Sequence, residues 1–495
     1  MLRSIISHRA LLAVATLFTL LIDIHWAAAA PPCGTPKGGP CPPDPTALIP
    51  KCGLSGSVQA RVQDCIAMMD LDDKIGQMAM GDHLELKGED HVVTFKLGAL
   101  LAGGGHSPTT GNQPDDWRKM VDGFQQDALS TDLGIPLLFG IDAIHGHNNV
   151  FGATIFPHNI GLGAAGNPEL GCEIGRVTAK EVAATGINWN FSPTLCVSRD
   201  ERWGRSYECF GETPEAAATM TSIIGGYQGT GECTHGLGLS ATDTVLATAK
   251  HWIGDGGTTG GEDQGDTPSS EIEAFHLPPY LPAINIENVG SVMISYSSVD
   301  GVKMHANPDQ LVSGRLKDSS TNGGLDFSGI VLSDWAAIKQ IDRNFTVAIE
   351  QAINGGIDMA MEPYNYDSFV RNLTSLVETG SVSQQRIDNA VERILTAKVE
   401  LGLFDPPYGR LFADSGQMEP IDQTSISDIG SADHRVVARQ AVSESLVLLK
   451  NTGDIFPVDI GSNSFKIIVA GKSADDIGNQ SGGWTIDWQG DSGDI

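Results

Sequence analysis

An α/β fold built on a (β/α)8-type barrel is predicted by two features of the sequence. Short apolar runs recur at Leu97–Leu101, Pro136–Ile141, Ile187–Phe191, Val245–Ala249, Val292–Ser295, Ile330–Leu332 and Ile357–Met361, and each precedes a Gly-, Asp- or His-bearing loop and then a helical pattern. Strands alternating with helices call for a parallel sheet, and this many units over about 300 residues fit a closed barrel better than an open sheet. No eighth strand is evident, so an irregular barrel is expected.

Composition bounds the rest. The 495 residues exceed one small domain and suggest two to four units, with 41% hydrophobic residues to fill their cores. The formal net charge of −30 argues against nucleic acid as a partner, and its even spread along the chain reads as a solubility feature. Residues 1–30 combine a basic start (Arg3, His8, Arg9), an apolar run from Ala10 to Ile22 and a small-residue end at Ala27–Ala30. That is the pattern of a secretory signal peptide, and the run is too short to span a bilayer comfortably, so no membrane span is expected after cleavage and the protein is placed outside the cytoplasm, secreted or periplasmic. All 8 cysteines lie beyond it, and an even count in an exported chain favours disulfides over metal ligation. Cys33 with Cys41 and Cys196 with Cys209 are the pairs suggested.

Residues 31–54 form a Pro/Gly-rich leader. The barrel domain is assigned to 55–404. It opens with helices over Ser57–Met69 (Val58, Val62, Ile66, Met69) and from Leu71, where Asp72 and Asp73 favour a helix N-terminus. Its last helix runs from Gln384 to Leu401 and ends at Gly402. Residues 405–430 are polar and turn-rich, as in a linker. Residues 431–495 read as the N-terminal part of an incomplete α/β sandwich domain, with a helix over Ala432–Ser445 and strands at Ser445–Leu449 and Lys466–Ala470.

Polar groups gather where the runs end. Asp334 and Trp335 close the run Ile330–Leu332, and a carboxylate beside an indole offers a sugar ring both a charge and a flat apolar surface. The competing role is a helix cap on the amides that follow Asp334. Asp142 ends the run at Ile141 and is placed to accept from sugar hydroxyls. Nearby His145 and His147 lack a third ligand of zinc-binding type, so no metal is assigned. Arg205 lies in the charge-dense loop Arg199–Arg205 and can donate two parallel hydrogen bonds to vicinal hydroxyls or a carboxylate. Lys250 and His251 precede a glycine-rich loop that lacks the Gly-x-x-x-x-Gly-Lys-Ser/Thr phosphate-cradle spacing, so no nucleotide cofactor is implied. Tyr296 follows the run Val292–Ser295.

The segments Gly140–Asn149, Arg202–Arg205, Lys250–Gly257, Ile294–Ser298 and Val331–Trp335 closely resemble glycoside hydrolase family 3, in its exo-acting β-glucan glucohydrolase and β-glucosidase branch. The resemblance runs from about residue 55 to the last residue. It implies a β-glucan or β-glucoside substrate, no cofactor, Asp334 as nucleophile, and a glucose subsite lined by Asp142, Arg205, Lys250, His251 and Tyr296. It also implies that Trp484, in the segment Gly482–Thr485, sandwiches the next sugar with Trp335. Retaining hydrolysis needs a second carboxyl group about 5–5.5 Å from the first. Relatives of this type supply that acid as a Glu well after the Gly-Gly-Trp loop. Here only 11 residues follow Trp484 and none is Glu, so the acid is left unassigned and the chain is expected to be catalytically impaired. A β-N-acetylhexosaminidase of the same family would need a loop Asp-His pair, but the segment after Lys250 and His251 reads Asp266-Thr267-Pro268. A noncatalytic secreted carbohydrate-binding protein is the alternative from another class. Asn190, Asn344, Asn372 and Asn479 lie in glycosylation sequons.

Overall fold

The computed structural model describes residues 48–233, 238–258, 260–262, 264–311, 315–410, 426–458 and 466–495. Its centre is a sheet of eight parallel strands: β1 (Ala79–Asp82), β2 (Ala99–Ala102), β3 (Leu138–Ile141), β4 (Trp189–Asn190), β5 (Leu246–Trp252), β6 (Ser291–Ile294), β7 (Ile330–Leu332) and β8 (Ala360–Met361). Strands β1 to β7 pair in chain order, and β8 pairs with β1 through Ala79 opposite Ala360. A parallel bridge between Leu332 and Met359 joins the two ends, so the sheet closes into a (β/α)8 barrel.

Each of the seven apolar runs supplies one strand. The eighth is β1, whose Ala-Met-Gly-Asp sequence has no β-branched residue and follows directly on the helix Leu71–Gln77. Its position makes the run before Asp334 the seventh strand of the barrel rather than the sixth.

The barrel interior is filled by large side chains. Trp189 is fully buried, packs edge-on to Phe191 and donates from Nε1 to Thr248 Oγ1 at 2.9 Å and Ser291 Oγ at 3.0 Å. Gly140 makes room for Phe191, because a Cβ there would lie 2.1 Å from the ring. Asn190 is buried and spans to Ala143, accepting from its amide at 3.0 Å and donating to its carbonyl at 3.1 Å. Its sequon is therefore closed to glycosylation in the folded protein.

The outer helices follow their sequence signals. Val58–Met68 is capped by Ser57, and Asp70 and Asp73 form a reciprocal capping box at the start of Leu71–Gln77. The helix Gln384–Glu400 buries Ile387, Val391, Ile394, Leu395 and Val399, and Gly402 beyond it adopts φ +72°. A small second sheet joins Asp266–Thr267, Ser298–Val299 and Val302–Lys303 beside the barrel mouth loops.

The helix Ala432–Ser445 forms as expected, but the two runs expected to follow it as strands do not form a ladder among the described residues. Leu446–Leu449 and Ile467–Val469 lie outside any strand with Leu449 90% and Ile468 88% exposed. Strand geometry requires a hydrogen-bonding neighbour, and neither run has one among the described residues. Cys196 pairs with Cys209, and Cys52 with Cys65 and Cys172 with Cys233. The expected signal peptide, most of the leader, the Cys33–Cys41 pair and residues 411–425 of the linker fall outside the described residues. Among the described residues no helix is long and apolar enough to cross a membrane.

Candidate active site

The C-terminal ends of the barrel strands open into a cavity of about 400 Å³, within the usual range for small-molecule sites. All eight residues singled out in the sequence line it: Asp142, Arg205, Lys250, His251, Tyr296, Asp334, Trp335 and Trp484. They come from the ends of β3, β5, β6 and β7, from the loop after β4, and from the loop following the short helix Ile477–Ser481.

At the end of β7 the Asp334 carboxylate divides its two oxygens. Oδ1 accepts from the Trp335 amide at 2.7 Å, while Oδ2 is buried and has no hydrogen-bond partner among the described residues; the helical turn that follows, Ala337–Gln340, starts from Ala336 with no side-chain cap, so Asp334 does not take the capping role. The Asp334 amide donates to Nε2 of His305 at 3.0 Å, which requires that nitrogen to be unprotonated. Burial, aided by the charges of Lys303 and His251, pushes His305 down to about 3, in keeping with that role. His251 Nε2 lies 3.7 Å from Asp334 Oδ2 and its Nδ1 is 2.7 Å from Asp255 Oδ2. Arg205 and Lys250 do draw the Asp334 carboxyl down, as do His251 and the Trp335 amide, but burial outweighs them and the net shift is upward. Water is excluded from this carboxyl more strongly than the cations compensate.

Lys250 Nζ donates to Asp142 Oδ1 at 2.5 Å, and the peptide bond between Lys250 and His251 is cis. Lys250 also sits 5.4 Å from the centre of the Trp484 ring. Arg205 forms a two-pronged pair with Glu208, Nε to Oε1 and Nη2 to Oε2, both at 2.8 Å. Glu208 is fully buried. Burial pushes its carboxyl up, yet Arg205, Lys250 and the Trp484 indole bring it to about 2. The Cys196–Cys209 disulfide closes the loop that carries both residues. Tyr296 donates to the Trp335 carbonyl at 2.5 Å, fixing the backbone that carries the indole.

The loop bearing Trp484 is tied down on the loop after β3. Asn148 donates to the Trp484 carbonyl at 2.7 Å and accepts through its own carbonyl from Ile486 at 2.8 Å, and Thr485 Oγ1 lies 3.1 Å from His145 Nε2. His145 stacks on His158 at 4.0 Å, and His147 pairs with Thr185. Burial holds His145 down to about 3 and His147 down to about 4, so both are neutral structural groups. Among the described residues no cluster of His, Cys, Asp or Glu is arranged to hold a metal.

Sequence reasoning missed Glu208, His106, Tyr364 and Trp488. Glu208 stands three residues after Arg205, so an i,i+3 ion pair was a readable signal.

An electronegative, two-oxygen group with one free lone-pair face, set among ring-hydroxyl donors and acceptors and walled by indoles, is an arrangement suited to a pyranose. Residues 70–397 match the family described as glycosyl hydrolase family 3 N terminal domain. The chain belongs to glycosyl hydrolase family 3. Among similar family members, it is 32% identical over 460 residues to the lysosomal beta glucosidase of Dictyostelium discoideum, covering 87% of this chain and 53% of that protein. It is 31% identical over 437 residues to the periplasmic beta-glucosidase of Salmonella typhimurium, covering 86% and 52%. The crystal structure of an exo-1,3/1,4-beta-glucanase from a Pseudoalteromonas species superposes with a TM-score of 0.78 at 37% identity, over 88% of this chain and 53% of that one. The chain thus spans about half the length of the family relatives it matches.

Proposed function

We propose that the chain provides the glucose-binding barrel of an exo-acting β-glucosidase or β-glucan glucohydrolase that works with retention of configuration. The observation carrying this reading is the free, buried Oδ2 of Asp334 on a cavity lined by Asp142, Arg205, Lys250 and His251. In the proposed first step Asp334 attacks the anomeric carbon, forming a glycosyl ester as the bond to the leaving oxygen breaks. Asp142 accepts from glucose hydroxyls and Lys250, Arg205 and His251 donate to them. Tyr296 orients the Trp335 backbone, and Trp335 and Trp484 flank the next sugar.

No residue is assigned as proton donor to the leaving oxygen. Residues 431–495 are read as belonging to a second, α/β domain, and residues 1–30 as an export signal. The disulfides and the periplasmic and lysosomal names of the relatives support the latter.

The test avoids the need for a donor. A 2-deoxy-2-fluoro-β-glucoside with a dinitrophenolate leaving group departs without protonation, so the ester accumulates. Digestion and mass spectrometry are expected to place the label on Asp334 and to find none in Asp334→Asn. A label on another residue, or none at all, overturns the proposal.

A further inference from the structure

Beyond the residues read from the sequence, the cavity has an outer end built from the loop after β2. Asp82, the last residue of β1, is fully buried and spends both oxygens on that region. Oδ1 accepts from the Leu84 amide at 2.9 Å, and Oδ2 accepts from the Gly103 amide at 2.9 Å and faces His106 Nδ1 at 2.8 Å. The His106 carbonyl is in turn bonded to His83 Nε2 at 2.8 Å. The imidazole is therefore held at its Nδ1 edge and at its backbone, and Nε2 makes no hydrogen bond within the described residues. A histidine held through one nitrogen by a carboxylate presents the other to a ligand in a fixed direction.

The direction follows from Trp335. The His106 ring stands edge-on to the indole, with centroids 6.0 Å apart and planes at 68°. Gly103 touches the far edge of the same indole: a Cβ there would lie 2.8 Å from Trp335 Cη2 and 3.3 Å from His106 Nδ1. The indole thus spans from Asp334, its chain neighbour, to His106. Trp488 and Asp487 pack against Gly104 and Gly105 on the same loop, and Trp488 lines the cavity there. A glycoside with its anomeric carbon at Asp334 that extends along the indole meets His106 at its second unit.

We propose that His106, positioned by Asp82, is a specificity-determining residue that hydrogen-bonds a hydroxyl of the sugar on the leaving-group side. This inference rests on the proposed function. It predicts that His106 discriminates between ligands that occupy one unit of the cavity and ligands that occupy two.

Calorimetry of the 495-residue chain with glucose and with sulfur-linked cellobiose, which resists cleavage, separates the two. His106→Ala is expected to weaken the disaccharide about tenfold and glucose less than about twofold, the scale of one hydrogen bond. His106→Gln, whose amide can still pair with a hydroxyl, is expected to keep more disaccharide affinity than His106→Ala. Equal effects on both ligands, no effect on either, or equal losses in the two variants overturn the inference while glucose binding persists. Failure of the unmodified chain to bind glucose overturns the proposed function and this inference together.

Discussion

The indole Nε1 of Trp484 donates to Glu208 Oε1 at 3.0 Å, the same oxygen that accepts from Arg205 Nε. One buried carboxylate therefore sets both a charged group and an aromatic wall of the cavity. Removing one partner of a buried ion pair leaves the other charge uncompensated, at a cost of about 3–5 kcal/mol. Glu208→Ala is expected to lower unfolding stability by roughly 3 kcal/mol in urea titrations and to weaken glucose binding as Arg205 and Trp484 lose their anchor. Unchanged stability would show that the pair carries no such weight.

Acid is expected to destabilise the protein from the buried histidines first. Burial holds His145 and His305 down to about 3, and His147 and His276 down to about 4. An unfolded histidine takes up a proton near pH 6.5, so below that pH the unfolded state binds more protons and stability falls as pH drops toward the folded values. Four such groups give a loss of roughly 5 kcal/mol between about pH 6 and pH 5, which the raised carboxyls of Glu362 and Asp334 offset in part. Urea unfolding at the two pH values measures it, and a flat profile contradicts the burial of these rings.

Glu362 acts with the opposite sign. It follows β8, is fully buried, and neither carboxyl oxygen has a hydrogen-bond partner among the described residues. Burial pushes it up to about 7, against a weaker downward pull from Lys339. The folded state keeps its proton while the unfolded state releases it near pH 4.5, so its contribution is lost as pH rises from 4.5 through 7. Glu362→Gln, which cannot ionise, is expected to be about 2–3 kcal/mol more stable than the parent at about pH 8 and no more stable at about pH 4.5. Differential melting at the two pH values checks this.

The sequence made the barrel legible wherever strands carried β-branched or bulky apolar residues, as in Ile330–Leu332 and Leu97–Leu101. It hid β1, because Met78-Ala79-Met80-Gly81 has helix-compatible residues after a real helix, and only pairing with β2 and β8 makes it a strand. The same gap hid Asp82, and with it the reason His106 lines the cavity. Strand-end groups such as Asp142, Lys250 and Asp334 could be read because a parallel barrel sends every strand end to one face. The upward net shift of Asp334 could not, since the balance between burial and nearby cations depends on three-dimensional packing.

Leu446–Leu449 and Ile467–Val469 join no ladder among the described residues and set their aliphatic side chains in water. Two such ribbons are templates for cross-strand association between molecules, so this polypeptide by itself should form soluble aggregates as its concentration rises. Charged substitutions such as Leu448→Lys and Ile468→Lys would be the direct means of keeping it dispersed while leaving the cavity at the barrel mouth untouched.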